Sequence, residues 1–288
     1  MKRYKFAALL QQENRIKDKY LELGLSISPY SRINKYFLYL REIEKARILG
    51  ENELNRLIQK DRARYYYSQL YVLKICNILN AIESSSQNQL VIRNKLSILA
   101  KGPYLLSEEH KNNTTARDAE FELELFSFLY EKGLKVRLCD PNPDIQLITS
   151  NFTYDIECKR PNSMNSMEKH IRKAVSQLKK IINGSNIPTI ALSLDSILTK
   201  DDLILSSKDE RSSLNFLNVT LSEFLKANAM MVSKICGSNP CLVLYHLSCL
   251  SGYSNNIPMA YTTYMTGNIY NFEKSLSRRI YDDLQIMT

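Results

Sequence analysis

Apolar and polar positions follow two different rhythms along this chain of 288 residues. Up to about residue 100 the rhythm is helical. Between Ile33 and Ile48, the residues Phe37, Leu38, Leu40, Ile43 and Ala46 recur at roughly helical spacing, and Gly50 fits a C-terminal stop. Arg62-Ala63-Arg64-Tyr65-Tyr66-Tyr67 leads into Leu70, Val72, Leu73, Ile75, Ile78, Leu79 and Ile82, a strongly apolar helix that Ser84-Ser85-Ser86-Gln87-Asn88 breaks. A further helix is predicted over about 89–100. Pro29 is the only proline before Pro103, which suits continuous helix. Lys101-Gly102-Pro103 and the polar run from Glu108 to Thr115 read as a linker.

Past the linker the rhythm shortens. Thr115 is placed to cap a helix over about 116–132, and Gly133 ends it. The runs 134–139, 144–149 and 153–159 are strand-like, with Asp140-Pro141-Asn142-Pro143 and Thr149-Ser150-Asn151 as turns. A helix over about 165–183 ends at Asn183-Gly184. Then come a strand from Ile187 to Leu194, a helix near 219–235, a strand from Cys241 to Leu247 and a last helix over about 271–286. This order predicts a mixed α/β fold, a sheet with helical cover, behind an all-helical N-terminal region. The expected domains are 1–108 and 109–288.

Charge sharpens the division. Residues 1–108 hold 19 Lys and Arg against 10 Asp and Glu, whereas residues 109–288 hold 20 of each. The whole net charge of +9 therefore belongs to the first part. A basic module beside a neutral one points to a polyanionic partner, with nucleic acid the leading candidate. The plainer alternative is a Lys-rich solvated helical surface. Arg62 and Arg64, with Tyr65, Tyr66, Tyr67 and Tyr71, combine cations with aromatic rings that can hold phosphates and stack on bases. Equally, one tyrosine face can be buried against the helical bundle.

Other classes are disfavoured. No apolar run reaches the length of a membrane span, so no membrane partner is expected. The basic start Met1-Lys2-Arg3 precedes an apolar stretch that Gln11-Gln12-Glu13-Asn14-Arg15 cuts short, which reads as an ordinary helix rather than a signal peptide. Cys76, Cys139, Cys158, Cys236, Cys241 and Cys249 show no CxxC spacing and read as reduced thiols, giving a cytoplasmic expectation. His110, His170 and His246 are scattered, which argues against a histidine-based zinc site and weakens a Ser-His or Cys-His triad. Neither GxxxxGK[ST] nor GxGxxG occurs.

The chemistry concentrates in Pro143-Asp144-Ile145-Gln146-Leu147 and Tyr154-Asp155-Ile156-Glu157-Cys158-Lys159-Arg160-Pro161. Residues two apart in a strand share a face, so Glu157 and Lys159 point together while Ile156 and Cys158 enter the core. If the two runs pair as a hairpin, Asp144 can join them. Two carboxylates and an ammonium in one place are costly unless used, and a hard divalent cation with oxygen ligands would use them.

The arrangement of a glutamate-bearing helix, three strands carrying D…ExK, then helix and strand resembles the PD-(D/E)XK nuclease superfamily, over about residues 116–247. The resemblance implies a restriction-endonuclease-like mixed sheet flanked by helices, and Mg²⁺- or Mn²⁺-dependent hydrolysis of phosphodiesters, DNA ahead of RNA. It implies Asp144 and Glu157 as metal-binding acids and Lys159 as the catalytic lysine. An upstream helical glutamate completes such sites. Glu120, Glu122 and Glu124 compete for that role, and Glu122 is favoured, at the edge of the face shared by Phe121, Leu125 and Phe128. Gln177 stands where some branches carry a site-facing glutamine, although Ile181 replaces the tyrosine those branches carry four residues later. Arg160, Arg172, Lys173, Lys179 and Lys180 flank the motif and are expected to hold the phosphate backbone. Enzymes of this fold often act as dimers, so a homodimer is an open expectation. The alternative is a catalytically inactive protein of this fold, serving as a nucleic-acid-binding or protein-interaction module.

Overall fold

The computed structural model describes residues 6–105, 108–109, 114–181, 186–198, 204–206, 210–252 and 260–288. His110 and the predicted helix end at Asn183-Gly184 lie outside the described residues. Two compact units divide the chain. One takes residues 1–120, 201–210 and 249–262; the other takes 121–200, 211–248 and 263–288. The seam falls inside a helix, a little beyond the polar run read as a linker.

The first unit is built on α1 (Phe6–Glu22), α2 (Arg32–Leu49), α3 (Glu51–Lys60), α4 (Arg62–Ser84), α5 (Gln89–Leu99) and the start of α6 (Thr115–Glu131). Polar residues close the helix starts as their chemistry dictates: Ser31, Asp61 and Asn88 accept the backbone N–H of Asn34, Arg64 and Leu90. Gly50 ends α2 at φ 117°, backbone that a side chain would strain. Ile33, Phe37, Leu40 and Ile43 of α2 are buried with Leu70, Val72, Leu73 and Leu79 of α4. The tyrosine run belongs to this interior. Tyr67 stacks on Tyr71 at 5.6 Å, and Tyr71 stacks on Tyr36 at 5.2 Å. Only Arg62 and Arg64 of that motif are exposed, so the buried-face alternative holds for Tyr67 and Tyr71.

A charged cluster sits inside this unit. Glu120 Oε2 lies 2.7 Å from Arg32 Nη2 and 3.3 Å from Arg117 Nη1, and all three residues are almost wholly buried. Arg32 Nε also donates to the Leu99 carbonyl at 2.6 Å, and the Arg117 guanidinium lies 3.9 Å from the Tyr71 ring centre. Such a carboxylate is expensive to strand, so its two guanidiniums must stay with it.

The sheet comprises β1 (Lys135–Leu138), β2 (Ile145–Ile148), β3 (Thr153–Lys159), β4 (Ile187–Ser193), β5 (Ile204–Ser206), β6 (Cys241–Gly252) and β7 (Ala260–Tyr270). Its order is β1-β2-β3-β4-β6-β5, with β7 pairing β6. β1, β2 and β3 form an antiparallel meander; β3 to β4, β4 to β6 and β5 to β6 are parallel. The helices after β3 are α7 (Met164–Ile181), α8 (Asp195–Leu198), α9 (Glu210–Cys236) and α10 (Lys274–Met287). α7 is the crossover that lets β4 lie parallel to β3, and it packs on both. The fold is thus mixed α/β with helices at the N-terminus, as the patterning predicts.

Several boundaries differ from the sequence reading. Thr114 takes the cap position of α6: its carbonyl accepts from Arg117 and Asp118, and Thr115 is already helical. Gly133 does end that helix, at φ 78°. α9 starts nine residues early, at Glu210, and Ser213 in its first turn is buried. β6 runs on to Gly252, and β7 has no counterpart among the predicted strands. No helix among the described residues is long and apolar enough to cross a membrane.

Candidate functional site

β3 is an interior strand, flanked by β2 and β4, and residues 154–158 are all buried. That burial makes its polar residues informative, since each needs a partner. Asp155 is satisfied by Gln146 Nε2 at 2.6 Å and Asn186 Nδ2 at 2.8 Å, which fixes the start of the strand. Glu157, fully buried, lies two residues on, and its Oε2 is 2.9 Å from Lys159 Nζ. Cys158 is buried, as alternation requires.

Asp144 reaches this pair by a route that strand alternation does not describe. The regular β2 ladder stops at Ile145. At Asp144 the backbone N–H turns to the Ile156 carbonyl at 3.1 Å, and the Asp144 carbonyl accepts from Cys139 N at 3.0 Å. The carboxylate then takes the place a backbone carbonyl would hold: its Oδ2 accepts the Cys158 N–H at 2.7 Å. Cys158 lies between Glu157 and Lys159, so one hydrogen bond sets Asp144 beside both. Charge-assisted bonds of this kind are short and strong.

The electrostatics bear the marks of this crowding. The Glu157 carboxyl is pushed above the usual carboxylate range, first by burial and then by Asp144, with Lys159 and Lys173 pulling the other way. Burial would lower the Lys159 ammonium, but Asp144 and Glu157 outweigh it and the net shift is upward. Lys159 therefore remains a cation at neutral pH. His170, half-buried on α7, is held below its ordinary value by burial and by Lys159, Lys173, Lys169 and Arg160. His170, Lys173 and Gln177 are spaced three and four apart, a stripe along one side of α7.

A residue that sequence reasoning passed over joins the site. Asn142, in the turn before β2, sets one terminal amide atom 3.1 Å from Glu157 Oε1 and 2.9 Å from the Pro141 carbonyl; both are acceptors, so that atom is the nitrogen and donates to them. Gln177 Nε2 lies 3.4 Å from the same atom, donor against donor, so no hydrogen bond joins the two amides. Position gave a signal, two residues before the motif's aspartate, but turn propensity alone accounts for an asparagine there.

The competing glutamates separate cleanly. Glu120 is held by Arg32 and Arg117, and Glu124 Oε1 lies 3.7 Å from the buried His246 Nε2. Glu122 is half-buried. Among the described residues, no group of three His, Cys, Asp or Glu side chains is arranged to hold an ion, so the expected trio of Asp144, Glu157 and Glu122 is not brought together. The two carboxylates that do meet fit a hard divalent cation. They repel one another, and Mg²⁺ commonly takes only one or two protein carboxylates, completing its shell with water and phosphate.

The flanking cations divide as well. Arg160 Nη2 donates to Ser196 Oγ at 3.1 Å. Arg172 is exposed and engaged by Glu168 at 2.6 Å, while Lys173 is exposed and acts on Glu157 and His170. Arg62 lies over the Tyr66 ring at 5.9 Å, and Arg64 Nε is 3.1 Å from Asp61. Comparison of the chain with protein-family models, with curated proteins and with solved structures finds no match in any of the three.

Proposed function

We propose that this chain is a metal-dependent nuclease of the restriction-endonuclease-like fold. The observation that carries the reading is the Asp144 carboxylate docked on the Cys158 amide, beside the Glu157–Lys159 pair. The antiparallel β1-β2-β3 meander, the α7 crossover and the parallel β4 support the same reading.

In this reading Asp144 and Glu157 hold Mg²⁺ or Mn²⁺, which supplies a water of lowered pKa and positive charge at the phosphate. Lys159 is too firmly protonated to act as a base. It offers a fixed ammonium to negative charge that develops on the phosphate and the attacking oxygen. Arg160 and Lys173, with neutral His170, face the flanking phosphates. Removing one such preorganised donor typically costs about 10²–10³ in turnover. DNA is the favoured substrate by the resemblance to the superfamily.

The test is incubation with single- and double-stranded DNA and RNA in Mg²⁺, Mn²⁺ or chelator, beside Asp144→Asn and Lys159→Met. Cleavage that needs the metal and disappears in both variants is the expected result. Cleavage by Asp144→Asn at the wild-type rate sinks the assignment. Metal-independent nucleic-acid binding without cleavage favours the inactive binding module.

A further inference from the structure

The two oxygens of Glu157 are held by different donors. Lys159 Nζ takes Oε2 at 2.9 Å, and the Asn142 amide nitrogen takes Oε1 at 3.1 Å. A carboxylate gripped at both oxygens cannot rotate, yet each oxygen keeps a lone pair for another ligand. An exposed turn thus reaches one buried carboxylate through an amide.

We infer that Asn142 is a positioning residue that aligns Glu157 for a divalent cation. The inference rests on the nuclease reading of the site and adds a member that the D…ExK pattern does not contain. Groups that orient a metal's ligands matter because a ligand that swings loses affinity; their removal typically costs about 10–100-fold. Asn142 is exposed, so the low end of that range applies.

The experiment measures Mn²⁺ binding to the full chain without nucleic acid, by electron paramagnetic resonance, for wild type and Asn142→Ala. Asn142→Leu serves as a second test because it keeps volume and removes the donor. Thermal melting of the metal-free proteins is recorded alongside. The expected result is roughly tenfold weaker Mn²⁺ binding by both Asn142 variants, read at a temperature where melting shows them folded. Equal affinity in wild type and both Asn142 variants overturns the inference and leaves the nuclease reading standing. A wild-type protein that binds no Mn²⁺ overturns the nuclease reading, and this inference with it.

Discussion

The Asp144 carboxylate accepts the backbone N–H of Cys158 at 2.7 Å, so a side chain fills a rung of the β2–β3 ladder. This bond brings the two acids of the motif together without needing them to alternate onto one face. It also separates charge from geometry. Asparagine at 144 still offers an oxygen to Cys158, so Asp144→Asn should fold normally and melt close to wild type. It should lose Mn²⁺ binding and metal-dependent cleavage. Wild-type Mn²⁺ affinity in a folded Asp144→Asn protein, by titration calorimetry, contradicts the placement of a cation here.

Lys159 Nζ lies 2.9 Å from Oε2 of Glu157, which is fully buried. Lys159→Met should therefore leave an uncompensated carboxylate and destabilise the metal-free protein by about 3 kcal/mol, as breaking a buried pair does. Adding Glu157→Gln should recover most of that loss, because it removes the stranded charge. Chemical denaturation of the two single variants and the double variant reads the coupling. Additive losses would mean that the pair is not energetically linked.

Asp283 is fully buried and accepts from three side chains: Thr149 Oγ1 at 2.6 Å, Asn151 Nδ2 at 2.7 Å and Tyr154 OH at 2.7 Å. This fastens α10 to the turn between β2 and β3, the hairpin that presents Asp144. Asp283→Ala strands three donors and should cost about 3 kcal/mol. The loss should appear as a lower denaturation midpoint, and an unchanged midpoint refutes the fastening role.

Packing sets a further limit at Gly267 of β7. A Cβ there would come within 3.0 Å of Leu244 Cδ2 and 3.1 Å of both Leu284 Cδ1 and the Val243 carbonyl. The leucine tips can yield but the carbonyl cannot. Gly267→Ala should destabilise by roughly 1–3 kcal/mol through overpacking. Thermal unfolding equal to wild type would show that β7 sits farther from β6 and α10.

His170 gives a pH signature. Its folded pKa is depressed by burial, and Lys159, Lys173, Lys169 and Arg160 deepen the shift. A depressed group binds protons more weakly when folded, so its contribution is present above the unfolded value near 6.5 and is lost as pH falls towards the folded value. Wild type should lose stability relative to His170→Gln as pH drops below about 6.5. Added salt should shrink the difference, since part of the shift comes from exposed lysines. A pH-independent difference between the two proteins removes the cationic cluster from the account.

Much of this architecture was legible as period and punctuation. Helical spacing through Phe37, Leu40 and Ile43 marks α2, and the serine run after Ile82 marks the end of α4, because amphipathic burial repeats every turn. The D…ExK spacing sets Glu157 and Lys159 on one face of β3 by strand alternation, with Asp144 just before β2. What spacing cannot report is a partner chosen across the fold. Glu120, Glu122 and Glu124 look alike in sequence, yet Glu120 is captured by Arg32 and Glu124 lies 3.7 Å from the buried His246. Ser248 reads as a strand end until Asp195, 53 residues away in sequence, takes both its N–H and its hydroxyl and lets β6 continue. Asn142 reads as a turn residue until Glu157 is folded against it. A buried polar atom must find a hydrogen bond wherever the fold supplies one, so these assignments belong to the tertiary structure, while the chain's own periodicity determines which faces are buried.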